Sequence, residues 1–116
     1  MAKPLLLLGL LAATLDVTAA ALGRGPMVGG WSPIPDVKDP HIQELGGWAV
    51  EQHARLGGDR LQFRRVTRGE QQVVSGMNYR LVVDAVDGAG SSKPYLAEVY
   101  EQSWTSTRNL TSFNPA

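Results

Sequence analysis

Between Asp39 and Leu56 the apolar residues Ile42, Leu45, Ala49 and Leu56 recur at spacings of three, four and seven, with Trp48 beside them. That period predicts an amphipathic helix from about Pro40 to Leu56. Asp39-Pro40 supplies an N-cap followed by proline at the first helical position, and Gly57-Gly58 supplies a left-handed stop. Gly46-Gly47 in the middle weaken the helix by up to about 1 kcal/mol each relative to alanine, while letting it lie close on a neighbouring sheet. From Asp59 onward the period changes to two. Leu61 and Phe63 alternate with Gln62 and Arg64, then the register slips near Arg64-Arg65-Val66, the mark of a bulge. Tyr79, Leu81, Val83 and Ala85 form one apolar face, and Tyr95, Ala97 and Val99 form another, with the turn Asp87-Gly88-Ala89-Gly90 between them. A last short strand carries Leu110 and Phe113. One helix followed by four hairpin-connected strands is an α+β plan with an antiparallel sheet.

One place breaks the pattern. Gln72-Val73-Val74-Ser75-Gly76 falls at a hairpin tip, where β-branched valines are out of place because they favour extended, buried backbone. Valines at a tip imply a partner that covers them.

The segment before the helix carries no period. Lys3 followed by the apolar run Leu5 to Ala13 and the small residues Ala19, Ala20 and Ala21 reads as a secretory signal peptide over residues 1–20, cleaved near 19–21. The run is about half the length of a membrane span. Residues 21–38, rich in Gly and Pro, are expected to form a flexible arm, and residues 39–116 the folded domain. The mature chain of about 95 residues is small for a single core. It has no cysteine, so no disulfide supports it. Losing the signal removes one charge of each sign, Lys3 and Asp16, and net charge stays at zero. A neutral chain without a basic stripe argues against nucleic acid as partner. The lack of cysteines and of clustered histidines argues against a metal site, and no cofactor is expected.

Three features share one end of this plan: Gly29-Gly30 in the arm, Gln72 to Gly76 in the first hairpin, and Trp104 in the hairpin that returns to the same side. In this the chain resembles the cystatin superfamily, and most closely the plant cystatins. Their pattern of a glycine pair, a Gln-x-Val-x-Gly loop and a late tryptophan is matched in order. A plant-type helix motif appears altered as Leu45-Gly46-Gly47-Trp48-Ala49-Val50. The resemblance implies a cystatin fold, one long helix across a curved four- to five-stranded antiparallel sheet. It also implies a reversible, tight-binding inhibitor of papain-like (cathepsin-like) cysteine proteases that wedges into the active-site cleft. On that basis Gly29 and Gly30 let the arm approach the protease and send Met27 and Val28 into substrate subsites. Gln72, Val73, Val74, Ser75 and Gly76 meet the cleft rim, and Trp104 fills a pocket.

Two departures from the family pattern matter. Gly46-Gly47 stand where Ala-Arg is usual, and Ser103 where proline precedes the tryptophan, which is expected to loosen the second hairpin and weaken inhibition. Gly76 is expected to supply a positive φ. Trp48 lies on the helix stripe and reads as core, whereas Trp31 either packs on the sheet or stays mobile. His41 and His53, without a nearby nucleophile or ligand spacing, read as solvated. Asn109-Leu110-Thr111 is a candidate N-glycosylation sequon near the same edge. The rival reading is a secreted cystatin-fold binding or storage module that has lost inhibition. An enzyme is the weakest reading, because no nucleophile elbow or metal cluster is present. The expected product is a secreted, extracellular or vacuolar monomer without a membrane anchor, although a β-branched hairpin tip permits domain swapping.

Overall fold

The computed structural model describes residues 30–116. The segment read from the sequence as a signal peptide, together with Met27, Val28 and Gly29, lies outside the described residues. Helix α1 spans Pro40–Arg55, and the strands are β1 (Trp31–Pro33), β2 (Gln62–Val74), β3 (Gly76–Val86), β4 (Ser92–Gln102) and β5 (Thr107–Pro115). All four strand pairings are antiparallel and neighbours follow chain order, β1-β2-β3-β4-β5. One helix lies on one five-stranded sheet.

The helix begins and ends as its sequence dictates. Asp39 Oδ1 accepts a hydrogen bond from the His41 amide at 2.8 Å, and Pro40 follows where no amide proton is needed. At the other end Gly57 takes φ +97, its amide bonds the Ala54 carbonyl at 3.2 Å, and the Gly58 amide bonds the His53 carbonyl at 2.9 Å. These are the two bonds of a Schellman stop.

The alternating residues of β3 and β4 all face the helix: Tyr79, Leu81, Val83, Ala85, Tyr95, Ala97 and Val99 are buried with Ile42, Leu45, Ala49 and Val50. Trp48 is partly buried against this core. The slip in β2 is real. Register shifts fall between Phe63 and Arg65 and between Val66 and Arg68, leaving Arg64 and Thr67 without partners in the ladder. Between these bulges the backbone of Val66 is bonded by the helix residue Gln43, which accepts from the Val66 amide at 3.0 Å and donates to its carbonyl at 3.1 Å. The irregular strand is thereby tied to the helix it covers.

The arm is partly structured. Trp31, Ser32 and Pro33 pair with Gln72, Gln71 and Glu70, and the Ile34 amide donates to the Gly69 carbonyl at 3.0 Å. Ile34 is buried in the core, and the Arg80 guanidinium stacks over the Trp31 ring at 3.8 Å while bonding Glu70 at 2.8 Å. This part of the 21–38 segment is a fifth strand. Burial of Ile34 and the cation–π stack on Trp31 hold it.

Candidate functional site

Strand β3 runs away from the first hairpin and β4 runs back, so the tips at Ser75 and at Ser103–Thr105 lie at one end of the sheet. Trp31 pairs with Gln72, which brings Gly30 to the same end. Four large hydrophobic side chains are well exposed among the described residues: Leu56, Val73 at 44%, Val74 at 39% and Trp104 at 70%. Three of the four belong to these two tips. A cluster of exposed apolar side chains at the end of a small domain is the kind of patch a partner covers.

The first tip is a tight turn. Val74 pairs with Gly76, leaving Ser75 alone at the apex. Gly76 adopts φ +149, and a Cβ there would lie 2.7 Å from both the Glu101 carbonyl and the Tyr100 hydroxyl, so the position requires glycine. Gln72 is not a loose strand end, since Asn78 Nδ2 donates to its Oε1 at 2.8 Å. Trp104 sits in a single 3₁₀ turn closed by the Ser106 amide on the Ser103 carbonyl at 3.1 Å, with Ser106 in the left-handed region at φ 55. The Thr105 hydroxyl is 3.2 Å from the Gln102 carbonyl, 2.7 Å from Gln102 Oε1 and 2.7 Å from Thr107 Oγ1. These bonds brace the hairpin that the sequence reading expected Ser103 to loosen.

Behind the second hairpin a charged cluster joins three elements. Arg108 on β5 makes a bidentate pair with Glu44 of α1 (2.7 and 3.0 Å) and bonds Glu101 of β4 through Nη2 (2.7 Å) and Nε (3.1 Å). His41 Nε2 lies 2.7 Å from the other Glu101 oxygen. Burial pushes the Glu101 carboxyl up, but the hydrogen bonds and charges of His41 and Arg108 outweigh it and leave the group below its ordinary value. Arg108 is raised, chiefly by its bonds to Glu44. The two histidines are therefore not simply solvated. His53 bonds Asp59 at 2.7 Å and stacks on Phe113 with 4.1 Å between ring centroids.

The comparisons with known proteins agree with this geometry. A family model described as aspartic acid proteinase inhibitor matches residues 34–116. Cysteine proteinase inhibitor 8 of Oryza sativa subsp. japonica is 68% identical over 120 residues, covering 100% of this chain and 98% of the relative. Cysteine proteinase inhibitor 5 of Arabidopsis thaliana is 51% identical, covering 97% of this chain and 89% of that one. The chain belongs to the plant cystatins, or phytocystatins. Solved cystatins share the fold of this phytocystatin. A salivary cystatin from the soft tick Ornithodoros moubata superposes with a TM-score of 0.67 at 21% identity, covering 78% of this chain and 99% of its own. Dimeric human cystatin F gives 0.66 at 16% identity, covering 84% and 94%.

Of the residues singled out in the phytocystatin sequence, the structure gathers Gly30, Gln72, Val73, Val74, Ser75, Gly76 and Trp104 at one end, while Gly29 falls outside the described residues. Asn109 is exposed on β5 opposite Tyr100, close to this end. Sequence reasoning missed Tyr100 and Gln102, whose side chains reach the first tip, and the Glu101–Arg108 pair. The only signal for the last was two opposite charges flanking a short hairpin.

Proposed function

We propose that this chain is a reversible, tight-binding inhibitor of papain-like cysteine proteases, acting as an inhibitor and not as an enzyme. The observation that carries this reading is the exposure of Val73, Val74 and Trp104 on adjacent hairpin tips beside Gly30. Such side chains lose apolar contact with water only when a concave partner encloses them, and a protease cleft is concave. Gly29 and Gly30 would let the arm follow the cleft, Gln72 to Gly76 would meet its rim, and Trp104 would anchor the second side. The names of the plant relatives support cysteine proteases as targets.

The family model that matches residues 34–116 supports a second reading, inhibition of aspartic proteases. Titration of papain and of a pepsin-like protease separates the two. We expect stoichiometric, reversible loss of papain activity with the inhibitor uncleaved, and unchanged pepsin activity. Papain left fully active by a large molar excess would instead favour a binding or storage module.

The apolar run Leu5 to Ala13 and the alanines at 19–21 support secretion, with N-terminal sequencing of the mature protein as the check. A glycosidase-sensitive mass shift would report occupancy of Asn109. The working form on this reading is a monomer, with Gly76 supplying the positive φ that the hairpin turn needs. A doubled mass in light scattering would contradict this.

A further inference from the structure

Tyr100 and Gln102 lie on β4 with their side chains on the sheet face away from the helix, the parity opposite to buried Val99. Both reach the same atom of the first tip. The Tyr100 hydroxyl donates to the Ser75 carbonyl at 2.9 Å, and Gln102 Nε2 donates to it at 2.6 Å while lying 3.1 Å from the Tyr100 hydroxyl. A carbonyl has two acceptor positions, and these two donors fill them. Gln102 uses its other end as well, since its Oε1 accepts from the Thr105 hydroxyl at 2.7 Å, next to Trp104. One chain of hydrogen bonds therefore runs from the apex of the first hairpin, through the Gln102 amide, into the turn that carries Trp104.

We propose that Gln102 and Tyr100 are positioning residues of the inhibitory edge: they lock the Ser75 carbonyl and join the two hairpins into one preformed surface. The inference rests on the inhibitor reading and deepens it. Two consequences follow from the locked carbonyl. The tips are ordered before binding, so the ordering cost falls on the free protein and not on the complex. Hydrolysis of the Ser75–Gly76 bond requires oxyanion donors of the protease at the Ser75 oxygen, and that oxygen is already occupied by Tyr100 and Gln102. The apex is thus protected from being used as a substrate.

The test compares the wild type with Gln102→Met, which keeps shape and loses both hydrogen-bonding ends, with Tyr100→Phe, with the double variant, and with Gln102→Lys, which restores a donor. Amide hydrogen exchange from Val74 to Met77 in the free protein reads the lock without any protease. We expect it to accelerate about tenfold in each single variant, more in the double, and to return toward wild type in Gln102→Lys. Affinity for papain is expected to fall about tenfold in Gln102→Met and to recover partly in Gln102→Lys. Prolonged incubation with excess papain is expected to cut the double variant at Ser75–Gly76 and leave the wild type whole, as read by mass spectrometry. Unchanged exchange at the tip in Gln102→Met and Tyr100→Phe overturns the lock. Accelerated exchange with undiminished affinity overturns the positioning role. A wild-type chain that leaves papain active defeats the inhibitor reading, and with it the role in binding, while the exchange measurement still decides the lock.

Discussion

The three tryptophans show how position decides what one kind of side chain does. Trp31 lies under the Arg80 guanidinium at 3.8 Å and Trp48 faces that of Arg108 at 5.3 Å, so both serve the fold. Trp104 is 70% exposed on a turn of three residues. Truncating it removes almost nothing from the core and a large apolar anchor from the tip. Trp104→Ala is expected to leave the unfolding midpoint unchanged and to weaken papain binding tenfold or more, since a buried tryptophan hot spot is worth ~2 kcal/mol or more. Inhibition titration measures it, and an unchanged affinity removes Trp104 from the site. In the sequence Trp48 was legible from its place beside the helical stripe and Trp104 from its place after a strand. For Trp31 the sequence left packing on the sheet and mobility both open, because its partner Arg80 lies 49 positions away and is brought near only by the β1–β2–β3 pairing, which bears out the first.

At the scale of elements, the contact between α1 and the bulged strand β2 turns on two adjacent glycines that the sequence presents as equivalent. A Cβ on Gly46 would collide with Val66 Cγ2 and come within 2.9 Å of the Phe63 ring, whereas one on Gly47 would touch only that ring, at 3.4 Å. Val66 is buried and bonded through its backbone to Gln43, so it has little room to yield. Alanine gains up to about 1 kcal/mol of helix propensity at either position. At Gly46 that gain is exceeded by overpacking, which typically costs about 1–3 kcal/mol. Gly46→Ala is expected to destabilise the protein by about 1 kcal/mol net, and Gly47→Ala to stabilise it by about 0.5–1 kcal/mol. Urea unfolding of the two variants checks this, and equal shifts in one direction would contradict it. The glycine pair therefore marks a close approach at its first member only. Helix limits, β3 and β4 were legible because their periods are clean and their stops are Asp39-Pro40, Gly57-Gly58 and Asp87-Gly88. Strand β1 was not, because three residues ending in proline carry no period and are held by tertiary contacts of Ile34 and Trp31.

Across the whole molecule, the charged residues that tie the helix to the second hairpin belong to different elements: His41 and Glu44 on α1, Glu101 on β4 and Arg108 on β5. No local pattern announces such a cluster, since each residue reads as an ordinary surface charge until helix and sheet meet. It also fixes the sign of the acid response. The Glu101 carboxyl in the folded chain lies below its ordinary value of 4.5, so the unfolded chain binds its proton more readily. Its stabilising contribution is complete above that value and is lost as pH falls through the lower, folded one. Asp87, held down first by the Ser91 amide and then by that of Ala89, and Asp59, held down by its bond from His53, act in the same direction. Stability is therefore expected to persist from neutral pH to about pH 5 and to decline below about pH 4.5. Glu101→Gln isolates the largest cluster. It leaves His41 and Arg108 without their shared carboxylate, and at neutral pH it is expected to cost about 1–3 kcal/mol, the range for charged hydrogen bonds. As the pH falls through the lowered value of the folded chain the wild type loses the same carboxylate by protonation, so the urea midpoints of variant and wild type should converge. A gap that stays constant from neutral to acid would mean that the Glu101 charge does not hold helix and hairpin together.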